Sequence, residues 1–331
     1  MERYDVVASH IGDPQQLPEG ACKTQGISLA IGFFDGVHLG HLEVVRQAVA
    51  HARMHNQIAA VMTFDPHPRA VLGSEQFNSH TTVLTPLEDK LALLAQLGVE
   101  AAYVIHFDQA FSQVTAEQFV RQFIMPIGVN TAIVGFDFKF GFKGQGNPQS
   151  FHLFSDGQIQ VQVVSPVFHD GAKVSSSRIR DRLADGDCAD ATKLLDRPYQ
   201  IKGEVIHGDA RGRLLGFPTA NVQLDQSYVI PRFGVYAIEV DVPDADEKGS
   251  STAYKAVLNV GVRPTFDNPD GQLRLEAHLF DFDGDLYGKQ ITLLFHRYLR
   301  PERKFNAIDE LVAQITADAM QAREWLTEQL K

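Results

Sequence analysis

The sequence has little of several features that mark specialised classes of protein. Its 331 residues include only 2 cysteines, Cys22 and Cys188, too few for a disulfide scaffold and without the CxxC spacing of zinc or redox sites. No apolar run approaches the roughly 18 residues that span a bilayer, and the charged segment Met1–Val7 lacks the apolar stretch of a signal peptide. We therefore expect free thiols, a reducing compartment and a cytoplasmic protein.

Positive charge is also scarce. Lys and Arg number 30 against 41 Asp and Glu, which gives a formal net charge of −11. Such a balance offers no general footprint for nucleic acid or an anionic membrane, although local basic sites for phosphates stay compatible with it. The rest of the composition, 44% hydrophobic and 21% charged, is ordinary for a globular protein, and the length favours two domains.

Up to about Leu195, short apolar runs alternate with helical patterns, one of which follows a capping box at Thr115–Gln118. Alternation of this kind indicates right-handed crossovers and a parallel sheet with helices on both faces. The predicted strands are Ser28–Phe34, Ile58–Phe64, Ala102–Phe107, Thr131–Gly135 and Gln158–Val164.

Beyond Pro198 the pattern changes to strands separated by turns, until the amphipathic stretch Ala307–Leu330. This pattern predicts an antiparallel β-barrel that ends in a long helix. The fold class is therefore α/β plus β, with a short helical linker at Asp187–Pro198 and domains at 1–187 and 188–331. The predicted barrel strands are Gln200–His207, Gly234–Val242, Ala253–Val260, Leu273–Phe282 and Gln290–Leu299.

One segment, Gly32–His41, joins a strand, a glycine-bearing turn and a helix start in the sequence GFFDGVHLGH. Such a turn leaves backbone N–H groups and the positive end of a helix dipole available to an anion. We therefore expect nucleotide contacts at Gly32, Phe34, Asp35 and Gly40, the last of which lets a nucleotide approach the backbone; the family resemblance described below implies that this nucleotide is ATP.

Two histidines of this segment, His38 and His41, stand three residues apart and share a face of the first helical turn. Two imidazole donors suit the charge that develops on a phosphate during in-line transfer, so we predict both as catalytic. Zinc ligation is a poor alternative, since no third ligand is spaced nearby.

The motif HLGH at His38–His41 resembles the signature of the HIGH-motif nucleotidylyltransferases. The wider segment resembles the adenylyltransferase half of the prokaryotic bifunctional riboflavin kinase/FAD synthetase family, and this resemblance covers nearly the whole chain. It implies a Rossmann-like nucleotidylyltransferase domain followed by a riboflavin kinase barrel. Three further segments of the first domain support it, namely Phe64–Pro68, Gly135–Gly141 and Val174–Arg180.

The last of these segments is a hydroxyl-rich helix start that carries guanidinium groups. Such a start can clamp a triphosphate, although standing alone it would equally suit a surface helix with a serine cap. We predict Ser175, Ser176 and Ser177 as ATP-binding residues and Arg180 as a catalytic residue.

Flavin contacts are expected from the other two segments. Alternating aromatic and polar residues in Phe136–Gly141 can sandwich a flat ring, with Phe138 against the ring and Asp137 on its polar rim. The resemblance makes His67 a phosphate or flavin contact, while a rigid turn is the alternative reading of Pro66–Pro68.

The barrel half carries the segment Gly208–Asn221, GDARGRLLGFPTAN, which lacks the G-K-[ST] ending of a Walker A loop. Its glycines Gly208 and Gly212 can still present N–H groups to ATP. Thr219 and Asn221 alternate along one strand face, so both oxygens can reach one Mg²⁺ and the ATP phosphates. The segment matches the family's riboflavin kinase signature; alone it would be a turn entering a strand.

A carboxylate, Glu276, interrupts the apolar strand Leu275–Asp281. Burying a carboxylate is unfavourable unless it is paired, and a solvated outward glutamate is the plain alternative. The resemblance makes Glu276 the catalytic base for the ribityl 5′-hydroxyl. Arg300 is predicted as a flavin contact, and an ordinary surface charge is the alternative. Asn259–Phe266 is predicted to be a strand and turn with a structural or ligand-lining role.

The resemblance implies two ATP-dependent reactions that use Mg²⁺. The barrel would phosphorylate riboflavin to FMN, and the first domain would transfer AMP from ATP to FMN, giving FAD and pyrophosphate. Riboflavin, FMN and ATP are the expected partners, without nucleic acid or membrane, and the chain is expected to be a monomer or a weak homo-oligomer.

Two other functions stay open at this point. The first domain could act on glycerol phosphate, pantetheine phosphate or a cytidine nucleotide, against which Gly135–Gly141 and the attached barrel argue. The chain could instead bind flavin with one or both sites inactive, against which the intact His38, His41, Arg180 and Glu276 argue.

Overall fold

The structure is a computed structural model that describes residues 1–73, 82–208, 212, 215–244, 250–263 and 272–329. It divides into two compact units, Met1–Ser176 and Ser177–Lys331. The first holds a parallel sheet and the second a closed antiparallel barrel, which confirms the fold class expected from the sequence. Across the described ranges, no helix combines the length and the apolar character needed to cross a lipid bilayer.

A parallel sheet of six strands forms the centre of the first unit. Its strands are β1 (Glu2–Val6), β2 (Ile27–Ile31), β3 (Ile58–Asp65), β4 (Ala101–His106), β5 (Val129–Gly135) and β6 (Gln160–Val164). They lie in the order β1-β4-β3-β2-β5-β6, and every neighbouring pair is parallel. All five residues of the central β2 are buried, which explains its continuous apolar run.

Helices cover both faces of this sheet. They are α1 (Leu39–His55), α2 (Pro68–Leu72), α3 (Leu87–Gln96), α4 (Ala116–Phe119, continued by a π-helical turn over Val120–Ile124) and α5 (Pro148–Phe154). Val45 and Leu94 belong to the core cluster on one face, and Phe119 and Phe151 to the cluster on the other. The capping box expected at Thr115 is present.

The sequence pattern predicts five strands of this sheet and misses β1. In this strand Tyr4 and Val6 are buried while Glu2, Arg3 and Asp5 are exposed. Because β1 lies at the edge of the sheet, its two apolar residues form an alternation too short to register as a strand. A small hairpin, β7 (Phe168–His169) and β8 (Ala172–Lys173), completes the strands that the structure describes in the first unit.

A closed barrel forms the second unit. Its strands are β9 (Tyr199–Ile206), β10 (Ala220–Gln223), β11 (Gly234–Pro243), β12 (Ser251–Arg263), β13 (Gln272–Leu279) and β14 (Gln290–Arg300). They follow the order β10-β13-β12-β11-β14-β9, and β9 closes the barrel by pairing with both β10 and β14. The long final helix, α8 (Ile308–Gln329), packs Ala322 and Leu326 against Val235 and Val257 on the barrel.

Two short helices precede the barrel, α6 (Ser176–Asp185) and α7 (Cys188–Leu195). The helical character expected for the linker is therefore present in α7. All of α6 after its first residue groups with the barrel, where the Leu183 carbonyl accepts a 2.9 Å hydrogen bond from the Arg232 N–H. The compact units thus divide before α6, and the predicted limits of 1–187 and 188–331 for independent domains stay a prediction.

Candidate active sites

The turn between β2 and α1 has an unusual backbone. Phe34 and Val37 adopt positive φ angles of 57° and 43°, and the Gly32 N–H donates to the Met62 carbonyl at 3.1 Å. A side chain on Gly32 would collide with the Phe34 ring, whose Cε1 lies 2.9 Å from the position of a Cβ atom. Phe34 as a whole residue is only 2% exposed, so its aromatic ring packs in the core instead of facing a ligand.

The two histidines of the turn stack on each other, with ring centroids 3.6 Å apart and planes within 15°. His38 caps α1, and its Nδ1 accepts a hydrogen bond from the His41 N–H at 3.4 Å. A Cβ on Gly40 would lie 3.2 Å from Cε1 of His38. Gly40 therefore makes room for the histidine cap, and the nucleotide approach expected from the sequence stays a prediction.

The carboxylate of Asp35 is buried and serves the fold. It accepts hydrogen bonds from the backbone N–H groups of Leu84 at 2.8 Å and Thr85 at 3.3 Å. The Asp35 carbonyl accepts a further bond from the Ser176 hydroxyl at 2.9 Å. These contacts fix the turn from two distant parts of the chain, so the nearness of Ser176 to the turn, expected from the sequence, is present.

The other members of the serine segment lie on both sides of the division between the units. Ser175 is half-buried in the first unit, whereas Ser177 is exposed and Arg180 half-buried in α6 of the second. Their predicted ATP-binding and catalytic roles stay predictions.

An apolar cavity of about 250 Å³ opens near the turn Pro66–Pro68. The residues that line it include Phe64, Pro68, Phe107, Phe111, Phe119 and Phe140. The predicted flavin contacts His67, Asp137 and Phe138 are close in sequence to residues that line this cavity, but they do not line it themselves. His67 caps α2 with its Nδ1 and packs edge-on against Phe33, at 4.0 Å between ring centroids.

Phe138 and Asp137 lie on the segment that enters the cavity. The Phe138 ring stacks on Phe140 at 5.4 Å, so it supports a residue that lines the cavity. The exposed Asp137 accepts a 2.8 Å hydrogen bond from the Lys173 ammonium. Close by, a Cβ on Gly141 (φ 72°) would lie 2.5 Å from the Ala116 nitrogen, so only glycine fits this turn.

A larger cavity, of about 450 Å³, lies on the barrel beside α8. Its polar lining comes from neighbouring strands, since Asn221 of β10 and Asn259 of β12 both stand opposite Glu276 of β13. The alternate residues Leu275 and Ala277 of β13 are buried, which explains the interrupted apolar pattern. The site residues that line the cavity are Gly212, Thr219, Asn221, Glu276 and Arg300.

Glu276 is partly accessible, with 29% of its side chain exposed. Its carboxylate accepts a hydrogen bond from the Arg274 guanidinium at 3.0 Å. The adjoining Asn259 amide donates to Glu302 at 3.3 Å. The carboxylate therefore faces the cavity in a polar setting, where it can accept a proton from a bound hydroxyl.

The residues predicted to bind Mg²⁺ and ATP converge on this wall. Thr219 immediately precedes β10. Asn221 follows two residues later and lines the same cavity, because alternate residues of a strand share a face. A Cβ on Gly208 would lie 2.2 Å from the Asn221 Nδ2, and one on Gly212 would lie 2.3 Å from the Phe217 carbonyl. The hydroxyl and amide oxygens are hard donors that fit Mg²⁺. Of the predicted segment, residues 209–211, 213 and 214 lie outside the described residues.

Arg300 also lines this cavity and is held in place by a buried carboxylate. Its Nε and Nη2 donate to Asp318 of α8 at distances of 2.7 to 3.1 Å, and Asp318 is 4% exposed. Gln314 donates to the same carboxylate at 2.7 Å. The guanidinium is therefore fixed in orientation. This differs from the alternative reading of the sequence, in which Arg300 is a free surface charge.

Sequence reasoning missed three charged residues at these sites, Lys90, Arg274 and Asp318. Lys90 is buried in α3 and donates to the Phe33 carbonyl at 3.0 Å. Both Lys90 and Asp318 occupy the apolar stripe of an amphipathic helix. A charge on such a stripe is the signal that would have found them.

Comparison with known proteins matches a different enzyme family to each half of the chain. The family model for FAD synthetase matches residues 21–178, and the model for riboflavin kinase matches residues 195–326. A bifunctional riboflavin kinase/FMN adenylyltransferase of Bacillus subtilis (strain 168) is 42% identical over 295 residues, which cover 89% of this chain and 90% of the relative. The enzyme of the same name from Escherichia coli (strain K12) is 36% identical over 306 residues, 91% of this chain and 93% of the relative.

A solved structure shares the whole fold, with a TM-score of 0.83 and 31% identity over 98% of this chain and 99% of that chain. It is described as a macrolide-efflux protein from Streptococcus pneumoniae, a description that concerns that protein alone. Because both enzyme models match and the named relatives align over about nine-tenths of their length, this chain belongs to the family of bifunctional riboflavin kinase/FMN adenylyltransferases.

Proposed function

We propose that the two reactions of this bifunctional enzyme are carried by the two sites described above. Riboflavin phosphorylation would take place in the barrel cavity, and FMN adenylylation at the turn between β2 and α1. The observation that carries the proposal is the convergence of Asn221, Asn259 and Glu276 on one wall of a cavity large enough for a flavin.

In the kinase reaction, Glu276 is the proposed general base. Its carboxylate takes the proton of the ribityl 5′-hydroxyl as that oxygen forms a bond to the γ-phosphorus of ATP and the bond to the ADP oxygen breaks. The 3.0 Å bond from Arg274 holds the carboxylate in place without enclosing it. Arg300, fixed by Asp318, would contact the flavin from the other side.

Thr219 and Asn221 would hold Mg²⁺, together with phosphate oxygens. The ion would neutralise charge on the transferred phosphoryl group. Gly208 and Gly212 keep side-chain bulk away from this wall, as their crowded Cβ positions indicate. Backbone N–H groups there can then reach the phosphates.

In the adenylyl transfer, an FMN phosphate oxygen forms a bond to the α-phosphorus of ATP and pyrophosphate leaves. His38 and His41 would donate hydrogen bonds to the phosphates at the helix start. Gly32, Phe34, Asp35 and Gly40 would shape the phosphate-binding turn. Ser175, Ser176, Ser177 and Arg180 would clamp the triphosphate.

Flavin would enter the first unit beside the apolar cavity lined by Phe64, Phe107 and Phe140. An apolar slot of aromatic rings suits a flat ring system. His67 and Asp137 would contact the phosphate and ribityl parts, and Phe138 would support the ring site.

The enzyme would act in the cytoplasm as a monomer or weak homo-oligomer. Its functional domains would be 1–187 and 188–331, and Mg²⁺ would serve both sites.

Product analysis tests the assignment. The chain is incubated with riboflavin, ATP and Mg²⁺, and flavins are separated by chromatography; FMN should form first and FAD second. Supplied FMN should give FAD alone, and a chelator should stop both reactions. Flavin binding without turnover would contradict the proposed sites, and product from glycerol phosphate or pantetheine phosphate would contradict the proposed acceptor.

A further inference from the structure

Lys90 lies beneath the phosphate-binding turn of the first unit. It is 2% exposed, and it shares the inner stripe of α3 with the buried Leu91 and Leu94. Its ammonium donates to the Phe33 carbonyl at 3.0 Å and lies 4.4 Å from the centre of the Phe33 ring. The Thr63 hydroxyl donates to the same carbonyl at 3.0 Å.

This position is unfavourable for a charge. Burial lowers the pKa of Lys90 to about 8, although the charges of Asp35 and Asp65 act in the opposite direction. Neither carboxylate forms an ion pair with Lys90 among the residues that the structure describes, and Asp35 already accepts two backbone hydrogen bonds. An apolar side chain would pack here at lower energy. The ammonium must therefore serve something other than packing.

The carbonyl that Lys90 holds controls the direction of the next N–H group. In a trans peptide the C=O and the N–H point in opposite directions. With the Phe33 carbonyl turned toward Lys90 and Thr63, the Phe34 N–H points away from them. Within the described part of the chain this N–H has no hydrogen-bond partner. The positive φ of Phe34, 57°, belongs to the conformation that this contact secures.

We propose that Lys90 is a positioning residue for adenylyl transfer, whose ammonium holds the Phe33 carbonyl and thereby aims the Phe34 N–H at the ATP phosphates. The proposal rests on the assignment of adenylyl transfer to this turn. The charge of the ammonium also lies directly beneath the turn, where it favours an anionic ligand. Lys90 does not itself touch the substrate.

The bifunctional chain provides its own control for the test. Lys90→Met keeps the length of the side chain and removes the charge and the donor. Its kcat for FMN adenylylation should fall by about 10- to 100-fold, since a misdirected N–H group stabilises the charge on the phosphate less well. The KM for ATP should change less than kcat. Riboflavin phosphorylation in the same sample should be unchanged, and the melting temperature should be equal or higher.

The pH profile separates positioning by a charge from mere packing. As the pH rises through about 8, the Lys90 ammonium loses its proton, so adenylylation by the unaltered enzyme should decline. The carboxylates of Asp35 and Asp65 are the charged groups that act on it. Lys90→Met should lack this decline, and riboflavin phosphorylation should not show it in either protein.

Two matched variants complete the test. Thr63→Val removes the neutral donor to the same carbonyl; it should lower kcat by about threefold or less and keep the pH dependence. His41→Ala tests the site itself, because unchanged adenylylation in that variant would contradict the proposed site rather than Lys90.

Three outcomes would overturn the role of Lys90. The first is a wild-type kcat in Lys90→Met, and the second is an equal loss of both activities with a lower melting temperature. The third is an adenylylation rate of the unaltered enzyme that stays level from pH 7 to about 10. This last measurement needs no variant, so it decides even if Lys90→Met does not fold.

Discussion

Asn221 and Glu276 stand directly opposite each other on the antiparallel strands β10 and β13, and both side chains line the barrel cavity. Side chains paired in this way lie about 5 Å apart at their Cβ atoms. The amide oxygen that we propose to bind Mg²⁺ and the carboxylate that we propose as the base are therefore close enough to act on the two ends of one reacting group.

Glu276→Gln keeps the shape of the side chain and removes its ability to take a proton. Riboflavin phosphorylation should fall by about 10²–10⁴-fold, the usual worth of general base catalysis. FAD formation from supplied FMN should be nearly unchanged. Initial rates of the two half-reactions measure this, with thermal melting as the folding control. As a control, Glu204→Gln alters an exposed glutamate of β9 and should leave both rates unchanged. Retained kinase activity in Glu276→Gln would show that Glu276 is not the base.

His41→Ala should have the reverse effect. FMN should accumulate from riboflavin, while adenylylation drops by about 10²-fold or more because a preorganised phosphate donor is lost. The exposed His55 at the other end of α1 provides the matched control, since His55→Ala should change neither rate. Equal loss of both activities at an unchanged melting temperature would contradict the separation into two sites.

The Arg300–Asp318 pair gives a prediction for stability. Asp318→Ala leaves the guanidinium without its buried partner, so the free energy of unfolding of the barrel unit should fall by about 3 kcal/mol. Arg323→Gln, which breaks an exposed pair with Asp281, should cost about 1 kcal/mol or less. Urea unfolding monitored by Trp325 fluorescence measures both. Replacing the pair together, by Arg300→Met and Asp318→Leu, should recover much of the loss; failure to recover it would show that the pair acts through more than its charges.

The division between the units can be tested with fragments. Residues 190–331 should fold and make FMN but no FAD. A fragment of residues 177–331 should do the same and melt at a higher temperature, because it keeps the buried Ile179 and Leu183 and the bond from Arg232 to Leu183. Equal melting temperatures would mean that α6 contributes nothing to the barrel.

The two thiols should differ sharply in reactivity. Cys22 is exposed, whereas Cys188 is buried, and burial raises the pKa of the Cys188 thiol to about 12. Because the thiolate is the reactive form, a disulfide reagent at pH 8 should label one thiol quickly and the second only in denaturant. Cys22→Ser should abolish the fast phase. A fast phase that persists in this variant would contradict the burial of Cys188.

Local sequence patterns predict much of this architecture. Strands β2 to β6 and the longer barrel strands have enough apolar residues to reveal their period, and the motif at Gly32–His41 locates the turn that we propose to bind phosphate. Strands β1 and β10 were not predicted from their period, because each has only two buried apolar residues, too few to reveal one.

Charged residues that depend on distant partners were not predictable. Lys90 contacts the carbonyl of Phe33, and Asp318 contacts Arg300, at positions where the helical pattern predicts apolar residues. Local periodicity treats such residues as exceptions, since only the folded chain shows what they contact. The opposition of Asn221 and Glu276 likewise depends on strand register, which no local signal fixes.

Closure of the barrel has a consequence for the timing of synthesis. Strand β9 closes against β14, and Arg300 pairs with Asp318 of α8, so the barrel cavity cannot form until synthesis has passed Asp318. The parallel sheet is complete at Val164, and the turn receives its bond from Ser176 soon afterwards. Because domains fold in the order in which they leave the ribosome, the half that consumes FMN matures before the half that makes it.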